Sequence, residues 1–340
     1  MRMMGGSIIH LARVIEEDLF DRDVELTKPQ RIGLADLAAS MITCRNVNTS
    51  ELASVLPRDV KSDEERYRYI NRWLANDKIN CDIILHDFVP ELIQIMHQDG
   101  QKIVLSMDQS QVNNDFECLM VSLRMGERAI PAAWRVIKTK GEIGFNIQKQ
   151  LLQKVFDALP SYAKVILMAD RFYGTAALIQ LCQTFKWQYR IRLKGNLILI
   201  HEGGELQSGE LIKLKQTSLC NVTLNNSGVV TNIGAIQEEG KKEPWIIAMD
   251  CIPNEYKVLD YGMRWAIEPM FSDFKSRGFD ITTTQLRHAE RIERLILVLS
   301  VAYYWAVSTG MQPDLERAKR SKKKRRAVCS PSSKKESVLY

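Results

Sequence analysis

The stretch Val165-Ile166-Leu167-Met168-Ala169-Asp170 decides the fold of this chain, because five apolar residues in succession end at an acid. A run that is continuous rather than alternating is typical of a strand buried on both faces in the middle of a sheet. A second apolar run, Ile103-Val104-Leu105, leads to Asp108 in the same way. A single acid at a strand end is commonly a cap, but two acids on neighbouring strands can converge at one edge of the sheet.

The elements around these two runs predict an α/β layer with a mixed sheet. Further strands are predicted at 116–125, 130–137 and 189–193, and helices at 147–159 and 174–185. The order is then three strands, a helix, a strand, a helix and a strand. This order indicates helices packed on a sheet that contains both parallel and antiparallel pairs.

Residues 1–95 are predicted to be helical. Thr27-x-x-Gln30 and Ser62-x-x-Glu65 both have the pattern of a capping box, which marks the start of a helix. Short helices with breaks between them suit a DNA-binding module. A plain helical cap on the sheet explains the same pattern, and this stretch alone favours the second interpretation.

The segments after the α/β layer differ in composition. Residues 196–252 are predicted to be an all-β insertion with a hairpin turn at Gly203-Gly204, and the following residues to 311 are predicted to be helical. The end of the chain is rich in Lys, Arg and Ser, so a disordered tail is expected. The predicted organisation is a helical region 1–95, an α/β domain 96–311 that contains the insertion, and a basic tail 312–340.

The charge of the chain is unevenly distributed. The 340 residues include 47 Lys and Arg and 41 Asp and Glu, a formal net charge of +6. The tail 312–340 contains ten basic and three acidic residues, which leaves a charge of −1 for the rest of the chain. This nearly neutral body excludes a uniformly basic protein that coats DNA. Any polyanion bound by the body must be held by local clusters.

Cysteine spacing and hydropathy indicate the surroundings of the chain. Its seven cysteines are odd in number and scattered, so neither a zinc site nor a disulfide framework is expected. No apolar run approaches the roughly 20 residues that span a bilayer. The first residues also lack the pattern of a secretory signal. We therefore expect a protein of the reducing cytoplasm, without membrane contact.

The sharpest pattern is Tyr261-Gly-Met-Arg264-Trp-Ala-Ile-Glu268-Pro-Met-Phe-Ser-Asp-Phe-Lys275. On one helix its polar residues would fall within an arc of about 60°, beside an apolar stripe that can pack on the sheet. These residues are Tyr261, Arg264, Glu268 and Lys275. Pro269 predicts a bend just after Glu268. A solvated face is the usual fate of such residues, but a carboxylate between two cations and a phenol also suits a hard metal ion and phosphate.

The four-residue pattern, Tyr-x2-Arg-x3-Glu-x6-Lys, resembles that of the IS4-type insertion-sequence transposases in all four places. These are DDE transposases with an RNase H-like fold. In that family the first Asp follows the first strand, as Asp108 does, and the second belongs to an Asp-Arg pair after the fourth strand, as Asp170-Arg171 does. The family also has a β-rich insertion between the second Asp and the Glu. The resemblance therefore implies an α/β, RNase H-like mixed sheet flanked by helices, with an all-β insertion and an N-terminal helical region.

The resemblance implies that the chain is a DNA transposase. It would bind the terminal inverted repeats of an insertion sequence, cleave the DNA ends and transfer the 3′-OH strands into target DNA. Asp108, Asp170 and Glu268 would hold two Mg²⁺ or Mn²⁺ ions, which activate the attacking oxygen and stabilise the leaving one. The implied partners are double-stranded DNA and a second copy of the chain, since a homodimer would pair two ends. The implied location is the bacterial cytoplasm, at the nucleoid.

The same resemblance assigns further residues to DNA. Tyr261, Arg264 and Lys275 would hold backbone phosphates near the cut. Arg171 could serve DNA or a carboxylate partner, and the sequence favours neither. Trp245 could stack on a base flipped out near the cut end, although a core tryptophan is the more ordinary interpretation.

Two other classes of protein remain open. An RNase H-like nuclease without transposition would need the three acids, but not the Tyr, Arg and Lys of the pattern or the β insertion. A non-catalytic DNA-binding relative would keep the fold, and the presence of all three acids counts against it. Specific binding to paired inverted repeats would indicate a transposase, and binding by shape alone would indicate a nuclease.

Overall fold

The computed structural model of the protein describes residues 4–213, 218–225, 227–237 and 243–328. Its amino-terminal part is helical, as the sequence predicts. The helices are α1 (Met4–Asp21), α2 (Lys28–Cys44), α3 (Thr49–Val55), α4 (Asp63–Ala75) and α5 (Val89–Gln98), with a π-helical turn, Ile84–Phe88, before the last.

The two predicted capping boxes both lie at helix starts. The Thr27 N–H donates a hydrogen bond to the Gln30 side chain at 2.9 Å, ahead of α2. Ser62 accepts a hydrogen bond from the Glu65 N–H ahead of α4, but the Glu65 carboxylate accepts from the Lys61 N–H rather than from that of Ser62. These bonds satisfy backbone donors that have no partner within the first turn of a helix.

The five strands and two helices predicted between residues 101 and 195 are all present. They are β1 (Ile103–Gln111), β2 (Phe116–Met125), β3 (Arg128–Lys138), α6 (Phe145–Ala158), β4 (Val165–Ala169), α7 (Ala176–Thr184) and β5 (Gln188–Arg192). Strands β1, β4 and β5 run parallel, and β2 and β3 join antiparallel beside β1. All five residues of β4 are buried, because the strand lies between β1 and β5 and is covered on both faces. The predicted mixed sheet is thereby confirmed.

The β insertion extends this sheet rather than forming a layer of its own. Its elements are β6 (Ile198–His201), β7 (Gly204–Gln207), a one-turn helix α8 (Glu210–Lys213), β8 (Ser218–Leu224), β9 (Val230–Ile236) and β10 (Trp245–Met249). Strand β10 pairs antiparallel with β5, so the strand order in the described sheet is β3-β2-β1-β4-β5-β10-β9-β8-β6-β7. The first hairpin turns at Glu202-Gly203, one residue before the predicted place, where both φ angles are positive (49° and 80°) as a type I′ turn requires.

Residues 253–311 are mainly helical, as predicted, but the stretch from Tyr261 to Lys275 is not one helix. After α9 (Glu255–Leu259), a 3₁₀ segment covers Asp260–Ala266 and α10 covers Ile267–Phe274. The change of helix type falls between Ala266 and Ile267, ahead of the position just after Glu268 where the sequence predicts a bend. Pro269 is the third residue of α10, within its first turn, where proline is better tolerated than in the interior of a helix.

Helix α11 (Ala289–Val328) joins the amino-terminal helices to the sheet. Its residues 295–303 are buried without interruption and pack against α2, α4 and β3, so that helices and sheet share one hydrophobic core. The helix continues through 312–328, where the sequence predicted disorder. Lys and Arg are good helix formers, and extending an existing helix needs no new nucleus. The rest of the predicted tail, 329–340, lies outside the described residues.

The described part of the chain contains six cysteines, and all six are free thiols. None of its helices combines the length and the hydropathy that crossing a membrane requires.

Candidate active site at the carboxyl edge of the sheet

The parallel pairing of β1 and β4 brings Asp108 and Asp170 together. Met107 and Ala169 are the last residues paired between these strands, so the two aspartates leave the pairing side by side at the same edge. Asp108 accepts a hydrogen bond from the N–H of the following residue at 2.9 Å, and Asp170 does so at 2.6 Å. Asp170 follows the last residue of β4, but Asp108 lies within β1, which continues to Gln111 against β2. The end of an apolar run in the sequence is therefore not the end of the strand in this case, and the two backbone bonds orient the carboxylates where the β1–β4 pairing ends.

The 3₁₀ segment Asp260–Ala266 places two more of the predicted residues against these acids. A 3₁₀ helix has three residues per turn, so Tyr261 and Arg264 lie on the same face. The Tyr261 hydroxyl donates to Asp170 Oδ1 at 3.4 Å, and Arg264 Nη1 donates to Asp108 Oδ2 at 3.2 Å. Both side chains are buried, at 1% and 7% exposed, and therefore do not form the solvent-facing row that a single α-helix would have given.

Arg264 also holds the third acid. Its Nη2 donates to Glu268 Oε1 at 2.6 Å, so one guanidinium bridges Asp108 and Glu268. Glu268 follows the first residue of α10, and more than half of its side chain is exposed. The three acids are thus brought to one edge of the sheet, where Arg264 connects two of them.

Burial and charge act in opposite directions on Asp108. Burial raises the pKa of this carboxyl to about 6, although the Arg264 guanidinium and the hydrogen bond from the Gln109 N–H lower it. The neighbouring Asp170 and Glu268 raise it further. Burial also raises the pKa of Tyr261 above its usual range, so the phenol keeps its proton and acts as a donor at neutral pH.

Three carboxylates are the donor set that a hard divalent cation prefers, so the chemistry of the site fits Mg²⁺ or Mn²⁺. Within the part of the chain that the structure describes, however, no three His, Cys, Asp or Glu side chains are grouped so that they could hold a metal ion. In this structure the Glu268 carboxylate accepts a hydrogen bond from Arg264 instead. Of the three acids, Asp108 and Asp170 are the two that accept hydrogen bonds from backbone N–H groups.

Lys275 lies just beyond the end of α10. The backbone leaves the helical conformation there, so the predicted helical spacing does not extend to it. Lys275 lines a small cavity with Ser110 and Gln111 at the end of β1, and its charge lowers the pKa of nearby Glu117, against the stronger effect of burial.

Trp245 is half-buried and packs on the site rather than in the centre of the core. Its ring meets that of Tyr261 edge-on, with centroids 5.2 Å apart and an interplanar angle of 80°. It also meets the ring of Trp265 edge-on at 5.4 Å, and Trp265 is 48% exposed. An aromatic cluster therefore extends from the buried phenol to the surface.

Arg171, next to Asp170, has a carboxylate partner that the sequence did not identify. Its Nη1 donates to Glu243 Oε2 at 2.7 Å, and Arg192 Nη2 donates to the same oxygen at 3.2 Å. Glu243 and Arg192 are far apart in sequence and carry no motif. Only the antiparallel pairing of β10 with β5 shows that they lie at one edge of the sheet.

Part of this chain matches a known protein family. Residues 146–305 match the family model described as the transposase DDE domain, a range that includes Asp170 and the stretch from Tyr261 to Lys275 but begins after Asp108. This match supports a DDE transposase or nuclease. No curated protein matches the sequence.

Two solved structures show weak similarity. One is endonuclease V of Ciona intestinalis in complex with a 24mer DNA that contains an inosine followed by a ribo-adenosine, with 13% identity over 58% of this chain and 86% of that chain, and a TM-score of 0.29. The other is human ENDOV, with 13% identity over 61% of this chain and 87% of that chain, and a TM-score of 0.28.

Proposed function

We propose that this protein is a DNA transposase of the IS4 type. Its substrates are the terminal inverted repeats of an insertion sequence and the target DNA into which the 3′-OH ends are transferred. The observation that carries the proposal is the meeting of Asp108 and Asp170 at the edge where the parallel pairing of β1 and β4 ends, with Tyr261 and Arg264 against them. The match to the transposase DDE domain over 146–305 supports the same conclusion.

Asp108, Asp170 and Glu268 are the residues that would hold Mg²⁺ or Mn²⁺. Two such ions, when bound, activate the attacking oxygen and stabilise the leaving oxygen of a displacement at phosphorus. The chain's own residues prepare the site for this chemistry. Arg264 offsets the repulsion between Asp108 and Glu268, and the Tyr261 hydroxyl holds one Asp170 oxygen.

DNA recognition in this proposal combines buried and exposed groups. Arg264, Tyr261 and Lys275 bind backbone phosphates near the cut, and Trp245 offers an aromatic edge beside them. Two copies of the chain pair two transposon ends, which makes the active species a homodimer on DNA. The protein works in the cytoplasm, at the nucleoid of a bacterium.

The test is cleavage of a duplex that carries the DNA flanking this gene, with purified protein and Mg²⁺. We expect nicking at the element ends and joining of the 3′ strands to a second duplex. Asp108→Asn, Asp170→Asn and Glu268→Gln should each abolish nicking while binding of the ends persists. Asp115→Asn is the matched control, because Asp115 is exposed in the turn between β1 and β2 and its substitution changes the charge equally.

Full nicking by any of the three acid variants would overturn the assignment of the active site. Nicking without strand transfer would favour a nuclease over a transposase. End binding by the wild-type protein without any Mg²⁺- or Mn²⁺-dependent cleavage would indicate a non-catalytic relative.

A further inference from the structure

The carboxyl edge of the sheet has a basic cluster beside the acids. Strands β4 and β5 are parallel, so the residues that follow or end them lie at the same edge. Arg171 follows the end of β4, Arg192 ends β5, and Lys194 comes two residues later. We call Arg171, Arg192 and Lys194 the edge cations. They extend the site from Asp170 toward β10.

An exposed aromatic ring lies among the edge cations. Phe172 lies in the 3₁₀ turn Arg171–Tyr173 and is 52% exposed. The Arg171 guanidinium lies 5.9 Å from the centre of the Phe172 ring, and Lys194 Nζ lies 5.5 Å from it. Cations around an exposed aromatic face are the combination by which proteins hold a nucleic-acid backbone and its bases.

The carboxylate of Glu243 contacts two of the three edge cations, Arg171 and Arg192. Arg171 and Arg192 converge on the single atom Oε2, at 2.7 and 3.2 Å, and Arg192 donates in addition to the Pro244 carbonyl at 3.1 Å. The hydrogen bond from Arg171 is the main cause that lowers the pKa of Glu243. Glu243 is more than half exposed, so neither packing nor burial requires its carboxylate to be there.

Two guanidinium groups on one anionic oxygen form the arrangement that binds a phosphate group. The location also fits a backbone phosphate, because Arg171 directly follows Asp170 in the chain. A DNA strand positioned for reaction at Asp108 and Asp170 has a phosphate on each side of the reacting one. One of these two sides is the side of the acids on which Arg171 lies.

We propose that the edge cations form a binding subsite for a DNA backbone phosphate next to the scissile one, and that the Glu243 carboxylate occupies this subsite in the free protein. The inference rests on the proposed function for the identity of the polyanion. DNA must displace Glu243 from the two arginines, so the exposed acid lowers affinity for any duplex. Removal of the Glu243 charge leaves both guanidinium groups free to bind phosphate.

The experiment measures binding of a fluorescent 30-base-pair duplex of arbitrary sequence in EDTA, over a series of salt concentrations. Glu243→Gln should bind about two- to tenfold more tightly than wild type, since exposed ion pairs of this kind are each worth little. Arg192→Ala should bind more weakly and reduce the salt dependence by about one counterion. In the Arg192→Ala background, the gain from Glu243→Gln should shrink, because the two residues act on the same phosphate.

Two matched variants control for net charge. Glu205→Gln changes the same charge on the exposed strand β7, and Lys164→Ala removes a cation at the opposite end of β4. If Glu243→Gln and Arg192→Ala behave like these controls, the subsite is disproved while the proposed chemistry stands. If the predicted binding changes occur but no variant or wild type nicks DNA with Mg²⁺, the subsite stands and the proposed function fails. No binding of the duplex by the wild-type protein would overturn both.

Discussion

Arg264 donates a hydrogen bond of 3.2 Å to Asp108, a residue 156 positions earlier in the chain, and thereby joins the 3₁₀ segment to the first strand of the sheet. The same guanidinium holds Glu268 one turn later at 2.6 Å. Burial lowers the pKa of Arg264, but Tyr261 and the acids around it raise the pKa by more, so the side chain stays charged. The cation that the sequence assigned to phosphate is therefore also the internal partner of two proposed metal ligands.

Asp108 should make the stability of the protein depend on pH. Its pKa in the folded state is about 6, above the value of about 3.9 for an unfolded carboxyl. Its contribution to stability is therefore fully present below about pH 4 and is lost as pH rises through about 6. Asp108→Asn removes this loss. Between pH 4.5 and 7.5 the free energy of unfolding of the variant should therefore rise by about 2 kcal/mol relative to that of wild type. Urea unfolding in EDTA at both pH values measures the free energies of unfolding of the variant and of wild type. If the variant differs from wild type by the same amount at both pH values, the raised pKa is contradicted.

Tyr261→Phe should separate the hydroxyl from the ring. The variant keeps the edge-on contact with Trp245 and loses the 3.4 Å hydrogen bond to Asp170. We expect the free energy of unfolding to change by less than about 1 kcal/mol, and Mg²⁺-dependent nicking to slow about tenfold if the bond is worth about 1.4 kcal/mol in the reaction. Tyr256→Phe is the control, since Tyr256 is 81% exposed. If Tyr261→Phe nicks DNA at the wild-type rate, the hydroxyl is not needed for the reaction.

Arg190 should be essential for the position of the 3₁₀ segment. This buried side chain of β5 donates to Asp250 at 2.8 Å and to the Lys257 carbonyl at 3.2 Å, and it lies 3.8 Å from Asp260. Arg190→Ala leaves two acids without their buried partner, which should cost about 3–5 kcal/mol of stability.

The matched control for Arg190 is Arg13→Ala. The Arg13 side chain is mostly exposed and pairs with Glu17 on the surface of α1, so its loss should change stability by less than about 0.5 kcal/mol. Chemical denaturation compares the two variants. Equal stabilities would show that Arg190 does not anchor the segment that carries Tyr261 and Arg264.

Gly174→Ala should disturb the link between β4 and β5. A Cβ at this position would lie 2.3 Å from the Arg192 carbonyl oxygen and 3.2 Å from the Leu193 Cα, both of which are backbone atoms that cannot rotate away. We expect a loss of about 1–3 kcal/mol in the free energy of unfolding. Gly141→Ala, where a Cβ meets nothing within 4 Å, should leave stability nearly unchanged. Equal urea midpoints for the two variants would rule out this close approach.

The elements of the fold could be predicted well because each follows from local rules. The continuous apolar run at β4, the hairpin turn of β6 and β7, and the helix starts at Thr27 and Ser62 were all visible as patterns of neighbouring residues. The helix type between Asp260 and Phe274 was not, because a spacing of three suits an α-helix and a 3₁₀ helix alike. The position of Pro269 in a first turn also depends on where that turn begins.

The candidate site was also predicted only in part from the sequence. The sequence by itself determined which residues are chemically able to act, since Asp108 and Asp170 end apolar runs and the pattern from Tyr261 to Lys275 carries its own spacing. Only the tertiary structure decided which of them meet. Parallel pairing set the two aspartates side by side, the 3₁₀ segment turned Arg264 inward to hold two acids, and strand β10 brought Glu243 to Arg171. The physical reason is that a contact between residues far apart in the chain depends on strand order and direction, and no local propensity determines either.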